Sequence, residues 1–215
     1  LGRVPCRRVT FGADHGDYRA RDGRLVSPDG DIAEIASMRR SLPHDITNAL
    51  CASALVMESG LADRRAVAET LADFVAPKHR IELVGVAEGI SWFDDSKATT
   101  PHAVVTALRG FDDVVLIAGG RNKGLDLSEI ASEASRIRAV VAIGDSADDI
   151  ASVFEGVRPV EVADSMSDAV ARARRLASSA VLLSPGCTSY DWYDGYARRG
   201  DDFARCVAGL IGGTT

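Results

Sequence analysis

The chain has 215 residues, 46% of them hydrophobic and 26% charged, with a net charge of −6 and an isoelectric point near 5.2. That composition suits a packed core rather than disorder, and the acidic balance argues against a nucleic-acid-binding face, which needs a basic surface. No apolar run approaches the ~18 residues that span a bilayer and no signal-peptide pattern is read at the start, so the cytoplasm is the expected compartment.

In chain order, Arg8 to Phe11 and Asp31 to Ser37 predict short strands between Gly- and Asp-rich turns such as Pro28-Asp29-Gly30. A helix is expected from Ile46, because Ile46, Leu50, Ala54 and Met57 share one face and Gly60 supplies a stop. A second follows, with Val67, Leu71, Phe74 and Val75 at the same spacing. Residues 76–80, Ala-Pro-Lys-His-Arg, read as a boundary, which divides the chain into 1–76 and 77–215.

Beyond the boundary, strands are expected near 81–86, 90–94, 113–118, 138–143, 159–163 and 180–184, and helices near 101–109, 127–136, 146–154, 167–177 and 200–211. Continuous apolar runs such as Val114 to Ala118 are what a sheet covered on both faces requires. The fold class is therefore α/β, a Rossmann-like, mostly parallel sheet flanked by helices. Cysteines 6, 51, 187 and 206 form no C-x-x-C pair, so neither a zinc site nor a disulfide framework is indicated.

Polar constellations fall where strands end. The first is Asp94-Asp95-Ser96-Lys97-Ala98-Thr99-Thr100-Pro101-His102, in which Thr100 is a candidate helix cap and Pro101 suits the first helical position. The second is Gly119-Gly120-Arg121-Asn122-Lys123-Gly124-Leu125-Asp126, whose glycines permit close approach of an anion to the backbone. It lacks G-x-G-x-x-G, which disfavours a dinucleotide-dependent oxidoreductase. The third runs from Ser184-Pro185-Gly186-Cys187-Thr188-Ser189-Tyr190-Asp191 through Arg199, Gly200 and Phe203.

These three segments resemble the DSKATNP, GGxxKxxDF and SPACASxDxFxxFxxRGxxF motifs of the Mur ligases, in the branch that adds glutamate. Leu42 to Leu50 resembles the GxHNxxNxxAA segment closing that family's central ATPase domain, and His79-Arg80 matches the end of its GLPHR hinge. Thr100 replaces an Asn, His102 a Gly, Asp45 an Asn, and Gly186 and Thr188 two alanines.

The resemblance implies that residues 1–76 are the tail of the ATPase domain and 77–215 the glutamate-binding domain. It implies nucleotide contacts from Asn48, Arg80 and Asp95, and a glutamate pocket of His79, Thr99, Lys123, Ser189, Tyr190 and Tyr196. Lys97 and Lys123 are the catalytic candidates, Lys97 serving either ligand. Implied co-substrates are ATP, UDP-N-acetylmuramoyl-L-alanine and D-glutamate, with Mg2+, and a monomer is expected. No G-x-x-x-x-G-K-[ST] occurs in the sequence, so the expectation is a fragment, inactive alone, whose phosphate cradle and metal ligands lie elsewhere. Alternatives are another Mur-type ligase, one adding L-glutamate included, or a non-catalytic binding module.

Overall fold

A computed structural model describes residues 7–212, so Cys6 lies outside the described residues. The chain divides into two compact units, Leu1–Val75 and Ala76–Thr215.

In the first unit, β1 (Phe11–Gly12), β2 (Tyr18–Arg21), β3 (Arg24–Ser27) and β4 (Gly30–Glu34) form one sheet in that order. β1 runs parallel to β2, and the remaining pairs are antiparallel. The β2–β3 hairpin was not expected from the sequence, although its Asp22-Gly23 turn has the positive φ values (49° and 74°) that a tight two-residue hairpin needs. Arg19, Arg21 and Arg24 mask the apolar alternation that would have shown it.

Helices α1 (Pro43–Glu58) and α2 (Arg64–Asp73) cover this sheet, over a core of Tyr18, Leu25, Ile32, Leu50, Ala54 and Val67. α1 begins three residues before Ile46, with Pro43 in its first turn. Asp45 holds that start from inside the helix: its carboxylate accepts from the Leu42 amide at 3.1 Å and from Arg40 Nε and Nη2, each at 2.8 Å. α2 is capped by Asp63, which accepts from the Ala66 amide at 2.8 Å. It stops at Asp73, so Phe74 and Val75 lie past it, 58% and 67% exposed, and correct the expectation that they continue its buried face.

The second unit holds a six-stranded sheet of β5 (Glu82–Ala87), β6 (Ile90–Asp94), β7 (Val114–Gly119), β8 (Ile137–Ile143), β9 (Val160–Ala163) and β10 (Ala180–Gly186), ordered β5-β6-β10-β7-β8-β9. Only the β5–β6 pair is antiparallel. Both faces are covered. α5 (Met166–Leu176) and α6 (Tyr196–Gly212) pack on the face bearing Val115, Ile117, Val141, Val181 and Leu183. α3 (Pro101–Leu108), residues 127–136 and α4 (Ala147–Phe154) cover the other. Residues 127–136 form 3₁₀ turns kinked at Glu133, not the single helix expected. Serines 128, 132 and 135 are poor helix interiors, and Arg109 and Arg136 hold the Glu133 carboxylate at the kink at 2.8 and 3.1 Å.

Because β6, β10 and β7 are parallel neighbours, their carboxyl ends place the three polar segments side by side. Ligands bind at that edge of an α/β sheet, where connections diverge to opposite faces.

Candidate functional site

The site has a buried floor. Asp94, Asp95, Ser96, Ser184 and Arg199 are 5% exposed or less, and every one of them carries a polar side chain. Asp94 Oδ2 lies 2.7 Å from His79 Nδ1, while its Oδ1 accepts from the Ser96 amide at 2.8 Å. Ser96 Oγ donates to the Tyr196 carbonyl at 2.8 Å and accepts from Arg199 Nε at 2.9 Å. Arg199 Nη2 donates to the carbonyls of Ser96 and Cys187, at 3.0 and 3.1 Å.

Burial dominates the electrostatics of this layer. It pushes the Asp95 carboxyl up to about 7, against the Ser184 hydroxyl that donates to it at 2.7 Å and the Ile81 amide. Asp94 is raised by the same cause, opposed by His79 and the Ser96 amide. Arg199 is lowered to about 10, which leaves it charged at neutral pH. The Cys187 thiol is raised by burial, so it stays protonated and inert as a nucleophile.

Glycines let the loops close over this floor. A Cβ on Gly119 would collide with the Ile143 carbonyl, and one on Gly144 with the Asp191 carboxylate, which accepts from the Asp145 amide at 3.0 Å. Gly186 has a φ of 69°, a conformation in which glycine is favoured over the alanine of the resembled motif. Thr188 pairs with Arg121 through both backbone groups, at 2.8 and 3.1 Å, tying the β7 and β10 loops together.

Above the floor stands a rim, exposed at Lys123, Tyr190 and Tyr196 and half-buried at Lys97. Lys97 Nζ lies 5.3 Å from the centre of the Tyr196 ring, whose edge meets His79 at 5.9 Å. Lys123 Nζ lies 5.7 Å from the Tyr190 ring. Neither lysine forms an ion pair among the described residues, and Asp126, the nearest carboxylate in sequence to Lys123, instead accepts from the Ser128 amide at 2.9 Å. Two ammonium groups held on aromatic faces without carboxylates are open to an anion. Arg80 is exposed, and its charge acts on Asp95. Thr99 is half-buried before α3, and Ser189 is buried beneath Tyr190 in sequence.

Asn48 is exposed on α1, in the other unit. Thr100 occupies the position before α3, but its side chain makes no capping hydrogen bond, contrary to its expected use; its carbonyl receives the Ala103 amide. His79, Glu82 and Asp94 have ligand-type atoms within 4.8 Å of one another. Those atoms already serve one another, since Glu82 Oε2 accepts the His79 amide at 3.0 Å while Nδ1 meets Asp94. The cluster reads as a closed hydrogen-bond set and does not fit Mg2+, which demands several oxygen ligands in octahedral geometry.

Sequence reasoning named Asp95 but gave the rest of the floor no role. Arg199, Ser184 and Asp191 stood in a matched motif without a role, and nothing in their spelling marks an arginine as 1% exposed.

The family description "Mur ligase, glutamate ligase domain" matches residues 79–187. A UDP-N-acetylmuramoylalanine--D-glutamate ligase from Frankia casuarinae is 41% identical over 96% of this chain and 47% of its own length. Its counterpart from Shewanella oneidensis is 38% identical, over 97% of this chain and 48% of its own. Among solved structures, the UDP-N-acetylmuramate-alanine ligase of Thermotoga maritima superposes with a TM-score of 0.63 at 18% identity, covering 94% of this chain and 48% of that one. The chain spans about half the length of the curated relatives it matches.

Proposed function

This chain belongs to the Mur ligase family, and from that premise we propose that the protein it represents adds D-glutamate to UDP-N-acetylmuramoyl-L-alanine at the expense of ATP. The observation that carries the reading is the pair of lysines, Lys97 and Lys123, held on tyrosine faces at one edge of the sheet without carboxylate partners among the described residues. A free amino acid with two carboxylates supplies the anions that such a rim lacks, and the relatives' names supply its identity.

Amide formation from a carboxylate needs activation, because oxide is a poor leaving group; phosphoryl transfer from ATP supplies it as an acyl phosphate, which the glutamate amine then attacks. In this division of labour the residues of the second unit bind and orient glutamate. Lys123, Thr99 and Ser189 hold its carboxylates, Tyr190 and Tyr196 wall the pocket, His79 braces Tyr196, and Lys97 sits between glutamate and the nucleotide. Arg80 and Asp95 address the nucleotide from this unit, and Asn48 is the nucleotide contact proposed for the first. Residues 1–76 then correspond to the end of an ATP-binding domain and 77–215 to the glutamate-binding domain, a reading supported by the division of the chain after Val75. Mg2+ ligands are assigned to no residue of this chain.

The test is ADP release by the full-length protein with ATP, Mg2+, UDP-N-acetylmuramoyl-L-alanine and either glutamate enantiomer. Release that requires D-glutamate supports the proposal; release with L-glutamate alone, or none with either, contradicts it. The 215-residue chain by itself should release no ADP above a buffer control, because the transferring phosphoryl group needs a backbone cradle that its sequence lacks.

A further inference from the structure

We propose that Arg199 is a positioning residue that sets the geometry of the glutamate pocket without touching the substrate; this rests on the function proposed above. Arg199 is 1% exposed, and its hydrogen bonds go to the chain itself, to the anchors of two loops that carry pocket residues. Nε and Nη2 hold Ser96, the neighbour of Lys97 and the start of the turn to Thr99. Nη2 also holds the Cys187 carbonyl, two residues before Ser189. Nη1 is buried and hydrogen-bonds nothing among the described residues; it only limits the space at Gly120, where an added Cβ would stand 3.0 Å from it. The same Ser96 hydroxyl receives Arg199 and donates to Tyr196, which begins the helix bearing Arg199.

One planar, charged fork thus ties together the Ser96 turn, the Cys187 loop and, through the shared Ser96 hydroxyl, the start of α6, and a flexible ammonium cannot reproduce that set of directions. Asp95 is anchored separately, by the Ser184 hydroxyl and by its own amide donating to the Leu183 carbonyl at 2.8 Å. Removing the fork should therefore disturb glutamate more than ATP. Global destabilisation behaves differently: it lowers the folded fraction, hence apparent kcat, and leaves both KM values unchanged.

The experiment is steady-state kinetics of the full-length protein carrying Arg199→Lys, with circular dichroism to confirm folding. The expected result is a rise of about tenfold or more in KM for D-glutamate, with KM for ATP changed less than about threefold. Unchanged KM values beside a reduced kcat overturn the proposal, as does an equal rise for both substrates. Should Arg199→Lys fail to fold, Ser96→Ala removes one hydroxyl from the tie, and a selective rise in glutamate KM of about threefold or more is expected; an unchanged glutamate KM overturns the proposal. If the unsubstituted protein shows no glutamate-dependent ADP release, the functional reading fails and the role of Arg199 fails with it, a result distinct from either variant's kinetics.

Discussion

The floor and the rim of the second unit are both built from polar and charged residues and treat them in opposite ways. In the floor, Asp94, Asp95, Ser96 and Arg199 are buried and spend their hydrogen-bonding capacity on one another and on nearby backbone. On the rim, Lys97 and Lys123 lie over tyrosine rings and lack carboxylate partners among the described residues. Burying a charge is costly unless it is paired and hydrogen-bonded, so the floor is satisfied internally except at Arg199 Nη1, which has no hydrogen-bond partner among the described residues; a solvated ammonium carries no such cost and can wait for a ligand. The difference teaches that polar residues of one motif divide between shaping a site and filling it. Substitutions in the floor should change stability and the geometry of the pocket, and those on the rim should change binding while leaving stability nearly untouched.

The sharpest separation is expected from Gly119→Ala. Its φ of 121° and the collision of a Cβ with the Ile143 carbonyl combine backbone strain with overpacking, for a loss on the order of 3–5 kcal/mol. Both tryptophans, Trp92 and Trp192, lie in the second unit, so denaturant unfolding followed by tryptophan fluorescence reads it directly. A loss under ~1 kcal/mol would show that the loop yields and that the floor is not rigid.

Next comes the pH dependence of Asp95. Its folded pKa of about 7 lies above the ordinary carboxyl value of 3.8, so the folded chain holds the proton more tightly than the unfolded one. The stability this contributes is fully present below pH ~4 and is lost as pH rises through about 7, to a total of at most about 4 kcal/mol. Asp95→Asn should flatten that fall and raise stability at pH 8 by about 1–3 kcal/mol. Asp94 shifts in the same direction, so part of the slope remains. A variant less stable at pH 8 with an unaltered slope would break the account of the floor as a desolvated layer.

On the rim, Lys123→Ala should leave the unfolding midpoint within about 0.5 kcal/mol of the parent, because exposed charges contribute little to folding. In the full-length protein the same substitution should raise KM for glutamate about tenfold or more, corresponding to ~1.4 kcal/mol, with ATP little changed. Coupled losses of stability and affinity would erase the distinction between the two layers.

The smallest effect is expected at Thr100. Its side chain makes no capping hydrogen bond, so Thr100→Ala should cost only a few tenths of a kcal/mol, against about 1 kcal/mol for Ser165→Ala, whose hydroxyl accepts from the Asp168 amide at 3.2 Å. Thermal unfolding of both variants makes the comparison.

What the sequence disclosed follows the same division. The strands of the second unit were legible because they are continuous apolar runs, and Val114–Gly119 is buried at every position. The rim was legible because its lysines and tyrosines stand in loops that spell family motifs. The floor was not: composition cannot tell a buried arginine from a solvated one, since burial arises when α6 crosses back against the β6 and β10 loops. The β2–β3 hairpin was obscured by its arginines, and residues 127–136 were read as one helix because apolar spacing does not register how serines tighten a turn. Asp45, which replaces an Asn of the resembled motif, works from inside α1 through Arg40 and the Leu42 amide.

The most direct test of the central claim, that the rim of the second unit holds glutamate, is amide chemical-shift mapping of this chain titrated with D-glutamate. The account predicts saturable shifts concentrated in residues 97–99, 120–124, 188–190 and 196, and their loss in Lys123→Ala. Shifts confined to other parts of the chain, or unchanged in that variant, would contradict it.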